Sequence, residues 1–256
     1  IKKIIIFDNS NDFDLKRKIK KVYPNIKFIL SKKNLGYGVA NNKIINLCKS
    51  KYLFIVNPDT ALLKNCELNL LKSINAIKSN FSIIAPSSQE KNFGYFQNDN
   101  SKFNSGLLEV DYVKGFAMLI DVKKIKKVGK FDKKFFLYLE EIDLCKRLKK
   151  SSQKIYLSKI AKISHFAAKS SNIGFEFEKC RNWHWMWSSF YYKKKHNDFF
   201  YSFFSFFPIL TLNFFKMILY SIILNKKKMM TYYFRTSGLF NSIIGKSSWF
   251  RPMLDK

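Results

Sequence analysis

The chain has 256 residues and a mass of 30.3 kDa, which is enough for one substantial domain and an additional segment. Hydrophobic residues make up 47% of the sequence and aromatic residues 17%, and these proportions exclude a disordered or low-complexity chain. The net charge is +29, but only five of the 47 basic residues are arginine, and lysine lacks the guanidinium fork that reads phosphates and guanine.

The charge and the cysteines restrict the choice of partner and compartment. Lysines spread along the whole chain favour an anionic membrane surface over nucleic acid as the electrostatic partner. The four cysteines lie far apart and form neither a C-x-x-C pair nor a Cys/His cluster. This spacing predicts reduced thiols in a cytosolic compartment.

Short apolar runs and helix-compatible segments alternate in the first part of the chain. Strands are predicted at residues 4–7, 27–30, 52–56 and 82–85, where apolar runs end at polar or turn-forming residues. Helices are predicted at residues 14–22, from the glycine-containing loop 34–42 through residue 48, and at residues 64–78. This alternation is typical of a parallel α/β sheet.

The middle of the chain has a less regular pattern. Residues 91–105 are polar and rich in asparagine, which predicts a surface loop. A strand is predicted at residues 107–113, and residues 115–120 form an apolar segment of small residues. A strand is predicted at residues 154–157, and a further strand ends at His165. A helix is predicted from residue 139 to residue 150, where it begins with an acidic cluster.

A strongly apolar stretch dominates the C-terminal part, after a predicted helix at residues 175–195. The stretch covers residues 199–224, contains Pro208, and carries a stripe of polar residues at helical spacing: Ser202, Ser205, Asn213, Lys216 and Tyr220. A polar stripe opposite phenylalanine, leucine and isoleucine predicts a pair of amphipathic helices in a membrane surface. A spanning helix and a helix packed on soluble protein stay open as alternatives.

Two carboxylates follow strands that are expected to be parallel. Asp8 ends the first strand and Asp59 lies just beyond the third, and ligands of open α/β sheets bind beyond the carboxyl ends of strands. The two side chains can bind a base or ribose and a divalent metal that holds a diphosphate. Alternatively, Asn57-Pro58-Asp59 is an ordinary turn. The loop 34–42 either approaches a phosphate or makes a tight turn, and it is not a P-loop.

Glu140, Glu141 and Asp143 form a dense acidic cluster in a chain with only 18 acidic residues. Carboxylates at a helix N-terminus are favoured by the helix dipole, which gives them a structural explanation. Directly after an aromatic run, however, they can also supply a general base, because apolar walls raise the basicity of a carboxylate. His165 can complete a metal site or be a structural residue.

The order of these motifs resembles that of family 2 glycosyltransferases, and more narrowly their rhamnosyltransferase-like branch, which builds bacterial surface polysaccharides. The resemblance covers about residues 3–170 and rests on motifs in a fixed order: the strand ending at Asp8, the Asn-x-Gly-Tyr-Gly-x-Ala-x-Asn segment 34–42, Asn-Pro-Asp at 57–59, Gly-x-Ala-x-Leu-Ile at 115–120, the Phe-Asp to Cys-x-Arg segment 131–147, and His165. It implies a GT-A-type nucleotide-diphospho-sugar transferase fold, Rossmann-like, with a mostly parallel sheet flanked by helices. A helical, membrane-associating region would follow.

The resemblance implies a donor site and a metal site. Asp8 matches the acidic residue that contacts the nucleotide base, and the loop residues expected to bind the nucleotide-sugar are Asn34, Gly36 and Asn41. Asn57 and Asp59 match the motif that binds the donor diphosphate through Mg²⁺ or Mn²⁺. Asp59 is then the expected metal ligand, with His165 as the second.

The resemblance also implies the catalytic residues and the reaction. Glu141 matches the catalytic base, while Glu140 and Asp143 flank it and would shape the acceptor site as further catalytic residues. The reaction would be an inverting displacement that moves a sugar, such as the deoxyhexose rhamnose, from a nucleotide-diphospho-sugar to a lipid-linked saccharide acceptor. The protein is then expected at the cytoplasmic face of the bacterial inner membrane, as a peripheral protein. A basic membrane- or nucleic-acid-binding protein without catalysis is the alternative.

Two expectations concern the limits of the domains. The transferase domain is predicted at residues 1–171 and the aromatic, basic C-terminal region at residues 172–256. Members of the family begin with a further strand and helix, which nothing in this sequence matches. The chain is therefore expected to lack the first strand of the domain, which forms one wall of the nucleotide site.

Overall fold

Strands and helices alternate along the first part of the chain, as the hydrophobic pattern predicts. In the computed structural model, residues 3–77, 80–88, 106–166 and 174–251 are described. The first eight elements are β1 (Ile5–Asp8), α1 (Phe13–Val22), β2 (Lys27–Leu30), α2 (Tyr37–Leu47), β3 (Tyr52–Val56), β4 (Thr60–Leu62), α3 (Cys66–Ala76) and β5 (Phe81–Ser88). The strands β2 and β3 have the predicted bounds, whereas β4 was not predicted.

The next five elements complete this part of the fold. They are β6 (Leu107–Glu109), β7 (Ala117–Asp121), α4 (Val122–Val128), α5 (Glu140–Lys150) and β8 (Lys154–His165). The two strands predicted before His165 are one continuous strand of 12 residues. The predicted surface loop at residues 91–105 lies outside the described residues.

The large sheet is mixed, which corrects the prediction of a mostly parallel sheet. A two-stranded sheet pairs β1 with β2, and a six-stranded sheet has the order β3-β7-β5-β8-β4, with β6 also paired to β8. Among the described residues, the pairs β1–β2 and β5–β8 are parallel and the other four are antiparallel. A continuous apolar run indicates burial on both faces but not strand direction, and β7 is buried throughout although both of its neighbours run antiparallel to it.

Successive residues of the central strands enter two apolar cores, one on each face of the large sheet. Ile83 and Met118 pack in the core that also contains Ile45 of α2 and Leu144 of α5. The other core contains residues of β5, β7, β8 and α3: Ile84, Ala117, Ile163, Cys66 and Leu70. This alternation follows from the two-residue period of a strand. The two cores hold the strands in place, and the candidate site lies at the ends of these strands.

The internal contacts divide the chain into two units. One unit comprises residues 1–133 and 140–166, and the other comprises residues 134–139 and 167–256. The boundary predicted at residue 171 lies outside the described residues. The four cysteines are free thiols, as predicted.

The described residues of the second unit form the helices α6 (Gly174–His196), α7 (Phe199–Ile222) and α8 (Lys226–Ile243). The apolar stretch at residues 199–224 forms one helix with Pro208 inside it, not the predicted pair of helices. The side chain of Asp198 caps its first turn by accepting a hydrogen bond from the Tyr201 amide, 2.8 Å away. The segment is one helix despite its proline. The helix α8, which was not predicted, follows it.

Candidate active site

The carboxyl end of β1 is tied to the loop after β2 by an asparagine that the sequence analysis did not select. Asn9 donates from Nδ2 to the Gly36 carbonyl at 3.4 Å, and its Oδ1 accepts from the Leu35 amide at 3.2 Å. Asn34 accepts from the Gly36 amide at 2.9 Å. The predicted residues Asp8, Asn34 and Gly36 are thus brought to one edge of the unit.

The side chain of Asp8 is hydrogen-bonded within the turn that follows β1. Its carboxylate accepts hydrogen bonds from the Ser10 hydroxyl at 2.6 Å, the Ser10 amide at 3.0 Å and the Asp12 amide at 2.8 Å. Partial burial acts to raise the pKa of Asp8, but these hydrogen bonds outweigh it and hold the pKa below its usual value. The side chain therefore remains an anion at the carboxyl end of a strand.

The side chains of two consecutive asparagines of α2 make hydrogen bonds to backbone groups. Asn41, a predicted donor-binding residue, donates to the Tyr37 carbonyl of its own helix at 3.1 Å. Asn42, which was not selected, donates to the Phe131 carbonyl at 2.8 Å and accepts from the Phe131 amide at 3.0 Å. Because Asn42 is buried, this bidentate bond fixes the backbone from which the acidic segment starts. An asparagine on an otherwise apolar helix face indicates a buried polar contact, but it does not identify the partner.

The turn after β3 brings Asp59 to His165, which lies at the end of β8. The Asp59 Oδ1 and His165 Nε2 atoms are 3.6 Å apart, and both side chains are only about a tenth exposed. The backbone holds this pair in place, since Thr60 lies opposite His165 in the β4–β8 ladder and the Phe166 amide donates to the Asp59 carbonyl at 2.8 Å. The His165 ring stacks on Phe116 with centroids 4.5 Å apart.

The donor set of this pair fits a divalent metal that a substrate also coordinates. Magnesium-type sites commonly use one or two protein ligands plus phosphate oxygens, and carboxylate oxygens suit both Mg²⁺ and Mn²⁺. Among the described residues, no group of three or more His, Cys, Asp or Glu side chains is placed to hold a metal. Asp59 and His165 would thus hold an ion together with oxygens of a bound diphosphate.

Asn57 shapes the turn through its backbone. Its amide donates to the Phe116 carbonyl at 2.8 Å, and its carbonyl accepts from the Thr60 amide at 3.1 Å. The Asn-Pro-Asp segment is therefore both an ordinary turn and the element that presents Asp59, so the two readings of this motif are compatible.

Glu140 and Glu141 begin α5, directly after two residues with left-handed backbone. Tyr138 and Leu139 have φ values of 70° and 69°, a conformation that costs non-glycine residues energy and often occurs at functional sites. Glu140 is 4% exposed and its Oε2 atom has no hydrogen-bond partner among the described residues. Burial, with the nearby charge of Glu141, raises the pKa of Glu140 to about 8.

The environment of Glu141 is more polar. Its side chain is partly exposed, and although burial raises the pKa of Glu141, the charge of Lys114 and a hydrogen bond from the backbone amide of Gly115 act to lower it. The accessible carboxylate of the pair is therefore Glu141, while Glu140 has the higher tendency to remain protonated.

Asp143 is buried beside an arginine of the same helix. It is fully buried, and its Oδ2 accepts a hydrogen bond from Arg147 Nε at 2.8 Å. Arg147 also donates to the Val128 carbonyl at 2.8 Å, so the pair ties α5 to the end of α4. We interpret Asp143 as a structural partner of Arg147, and the sequence analysis grouped it with the catalytic residues because charge alone does not reveal burial.

The candidate metal ligands and the candidate base meet at two consecutive residues. The backbone amide of Gly115 is close enough to Glu141 to act on its pKa. The next residue, Phe116, stacks on His165 and accepts the Asn57 amide through its carbonyl. The segment before β7 therefore contacts both sites, and Asp59, His165 and Glu141 converge although they are distant in sequence.

The sequence of the chain matches a known family over more than half its length. Residues 1–143 match the profile described as Glycosyl transferase family 2. The rhamnosyltransferase WbbL of Escherichia coli (strain K12) is 26% identical over 211 residues, which are 71% of this chain and 78% of that protein.

Two solved structures have a similar fold. The mannosyltransferase PcManGT from Pyrobaculum calidifontis, in complex with GDP-Man and Mn²⁺, superposes with a TM-score of 0.56 at 8% identity and covers 94% of this chain and 77% of its own. GalNAc-T7 with UDP, GalNAc and Mn²⁺ has a TM-score of 0.53 at 12% identity. The chain spans 37% of the GalNAc-T7 chain, and 64% of this chain is covered. At these identities the likeness shows the GT-A fold.

Proposed function

Since this chain belongs to glycosyl transferase family 2, we propose that it is an inverting transferase that moves a deoxyhexose such as rhamnose from a nucleotide-diphospho-sugar to a lipid-linked saccharide. The convergence of Asp59, His165 and Glu141 on Gly115 and Phe116 is the observation that carries this proposal. A protein that only binds through its basic residues would not need these three side chains to converge. The family is also one of glycosyltransferases.

Glu141 acts as the general base in the proposed reaction. Its carboxylate accepts the proton of an acceptor hydroxyl, and the acceptor oxygen forms a bond to the anomeric carbon of the donor sugar. The bond between that carbon and the diphosphate oxygen breaks, and the nucleoside diphosphate leaves with the electron pair. Direct displacement inverts the anomeric centre, and one base is sufficient for it.

Glu140 supports this role by remaining protonated. Two adjacent carboxylates cannot both ionise without electrostatic cost, and the more buried one has its pKa raised to about 8. The pair then favours a single negative charge, which resides on the accessible Glu141. This arrangement keeps the base available without a second anion near the departing diphosphate.

Asp59 and His165 are the proposed ligands of Mn²⁺ or Mg²⁺. When bound, the ion neutralises charge that develops on the leaving diphosphate. At the neighbouring edge, Asp8, Asn34 and Gly36 lie where a nucleotide base and its phosphates would meet the ends of β1 and β2. Gly36, just before α2, has a φ of 77°. Because it is a glycine, no side chain covers the backbone at this point of the loop.

The helix α7 supports an acceptor that is attached to lipid. It is long and apolar enough to cross a membrane, and in the part of the chain that the structure describes no other helix is. Its two most buried residues are polar, Ser202 and Asn213, whereas Phe204 and Phe215 are 69% and 65% exposed. The helix is thus apolar on its outer face, and this face fits a lipid surface better than water.

Lysines flank α7 at both ends. Lys193, Lys194 and Lys195 end α6, and Lys226, Lys227 and Lys228 begin α8. Basic clusters beside an apolar surface provide the second signal that stable attachment to anionic lipid needs. We therefore place the protein at the cytoplasmic face of the bacterial inner membrane, as a peripheral protein that meets its acceptor in two dimensions.

A donor screen tests the proposed activity. The product of the whole gene is incubated with UDP-, GDP- and dTDP-sugars and Mn²⁺, and release of the nucleoside diphosphate is measured with and without membrane lipid extract. We expect turnover of a deoxyhexose donor, dTDP-rhamnose first, that increases with the extract and is lost with a chelator. Absence of turnover with every donor would contradict the proposal.

A further inference from the structure

We propose that Asn42 is a positioning residue of this active site. By holding Phe131 on the buried face of α2, it keeps the two ends of the segment 131–140 together and fixes the start of α5, where Glu141 lies. The inference rests on the proposed role of Glu141 as the base. It gives a role to an asparagine for which neither the family match nor the sequence analysis names one.

The first observation is that Asn42 binds both backbone groups of one distant residue. Its Nδ2 donates to the Phe131 carbonyl at 2.8 Å, and its Oδ1 accepts from the Phe131 amide at 3.0 Å. Both residues are buried, where polar groups that lose their hydrogen bonds are costly. Because the two bonds meet on one residue, they fix the orientation of Phe131 as well as its place.

The second observation is a close approach of α2 to both ends of the segment. A Cβ atom at Gly38 would lie 3.1 Å from the Cβ of Phe131 and 3.6 Å from the Cβ of Glu140. The first distance is tighter than ordinary van der Waals contact, and the second is ordinary contact. Phe131 and Glu140 therefore both pack against Gly38. Asn42 lies four residues further along α2 and hence on the same face of the helix.

The third observation is that further side chains of α2 and α5 hold the start of the segment. The ring of Tyr37 packs edge-to-face on Phe131, with centroids 5.6 Å apart, and its hydroxyl donates to the Gly115 carbonyl. Arg147 of α5 donates to the carbonyl of Lys130, the residue before Phe131. The helix that carries the candidate base and the helix that carries Asn42 thus grip neighbouring residues of the chain.

The place of Phe131 affects the base because Gly38 contacts both ends of the segment. If Phe131 left α2, the packing of Glu140 beside it would open. Glu140 and Glu141 are consecutive residues of α5, so a shift of one carries the other with it. The donor edge has hydrogen bonds of its own, at Asp8 and in the loop before α2. Asn42 therefore acts on the chemical step and not on donor binding.

The variant Asn42→Ala removes both hydrogen bonds. In hydrolysis of dTDP-rhamnose with Mn²⁺, we expect kcat to fall about 10-fold or more while KM for the donor changes less than about threefold, because a displaced base slows the chemical step. Asn69→Ala is the matched control. Asn69 lies in α3, and its Nδ2 also donates to a distant backbone carbonyl, that of Ile160 at 2.8 Å. This variant should keep the kcat of the wild type.

A titration without substrate separates this inference from the proposed function. Burial, with the charge of Glu141, raises the pKa of Glu140 to about 8. In protein labelled with ¹³C-glutamate, its carboxyl signal is identified by its loss in Glu140→Gln. We expect the pKa of Glu140 to be lower by about 1 unit or more in Asn42→Ala, because water reaches the carboxyl group, and to be unchanged in Asn69→Ala. This result would support the positioning role even if no sugar donor were turned over.

Two further variants complete the test. Asn42→Ser keeps a hydroxyl at the buried position but is too short for both bonds. It should change kcat and the Glu140 pKa in the same directions, which keeps the test decisive if Asn42→Ala does not fold. In a Glu141→Gln background, Asn42→Ala should leave the residual rate unchanged, because residues that act as a unit are not additive. The inference is overturned if Glu140 of a folded Asn42 variant titrates as in the wild type, or if KM for the donor rises while kcat is retained.

Discussion

Glu140 and Glu141 are neighbours in the chain, yet their carboxyl groups have different surroundings. Glu140 is buried without a partner for one oxygen, while Glu141 is partly exposed and receives a backbone hydrogen bond. The difference arises because consecutive residues of a helix point about 100° apart. One faces the interior and the other faces the segment before β7.

Substitution of Glu140 should change how stability depends on pH. Its folded pKa of about 8 lies above the usual unfolded value of about 4.3, so the folded state binds more protons between these values and loses stability as the pH rises through them. Glu140→Gln removes this loss. We expect its free energy of unfolding to exceed that of the wild type by at least about 1.4 kcal/mol at pH 8 and to equal it near pH 4.

Thermal and urea unfolding across this pH range provide the measurement. The control is Glu109→Gln, which removes an exposed carboxylate paired with Lys154 at 3.0 Å and should change stability by less than about 1 kcal/mol at either pH. Equal pH dependence in Glu140→Gln and the wild type would show that Glu140 is ionised in the folded protein.

At the residue scale, the sequence indicated positions better than roles. Asp59 and His165 are next to each other in the structure as a metal site requires, because each follows a strand whose end the apolar pattern located. Asp143 was grouped with the base, although the structure buries it against Arg147. Asn42 and Tyr37 were not selected, since their partners are backbone groups of residues 131 and 115, and no local pattern reveals such distant contacts.

The helices α6 and α8 approach each other closely at a glycine. A Cβ atom at Gly238 would lie 2.2 Å from the Trp183 carbonyl oxygen, so only glycine permits this crossing. Gly238→Ala should destabilise the second unit by about 1–3 kcal/mol, even though alanine is the better helix former. Tryptophan fluorescence reports on this unit, because all four tryptophans belong to it.

The control for this prediction is Thr231→Ala near the start of α8. Its hydroxyl donates only to the Lys227 carbonyl of the same helix, and its loss should cost less than about 0.5 kcal/mol. A Gly238→Ala protein as stable as the control would show that the two helices do not approach as closely as the structure has them.

The outer face of α7 makes a prediction about membranes. Burial of a phenylalanine side chain contributes about 1.5–3 kcal/mol, so the double change Phe204→Ser and Phe215→Ser should weaken binding to anionic vesicles about 100-fold or more. Sedimentation with vesicles that contain phosphatidylglycerol measures it. The control is Phe13→Ser in α1, which is 66% exposed and should bind as the wild type does.

Further outcomes of the same experiment separate the modes of attachment. A peripheral helix should be released by high salt or alkaline carbonate, since both weaken the contribution of the lysines. Retention under both treatments would indicate a spanning helix, and vesicle binding equal to the wild type in the double variant would place the attachment elsewhere.

At the element scale, prediction succeeded where an element is long or apolar and bounded by turn residues. The strands β2 and β3 meet these conditions, as do the helices α2 and α6. The strand β4 has three residues, too few for a period to be recognised. The polar stripe of residues 199–224 predicted a pair of amphipathic helices, whereas the structure has one helix with Pro208 inside it. In this helix Thr211 Oγ1 donates to the carbonyls of Phe207 and Pro208.

At the scale of the whole molecule, the sequence predicted the α/β class and the family but not the strand directions. Directions depend on which strands become neighbours, and β3, β7 and β5 are adjacent although they are far apart in sequence. The charge of +29 was informative only together with the place of the lysines. Those at the ends of α7 adjoin an apolar surface, and this combination is the basis for proposing an anionic membrane surface as the partner.

The most direct test of the central claim compares binding and turnover of one donor by two variants. With dTDP-rhamnose and Mn²⁺, Glu141→Gln should bind the donor with a Kd within about threefold of the wild type and lose about 100-fold or more in turnover, since glutamine keeps the shape but cannot accept a proton. Asp59→Ala should lose both donor binding and turnover, because the metal that holds the diphosphate then lacks its carboxylate ligand. Wild-type turnover in Glu141→Gln, or in Asp59→Ala, would contradict the account.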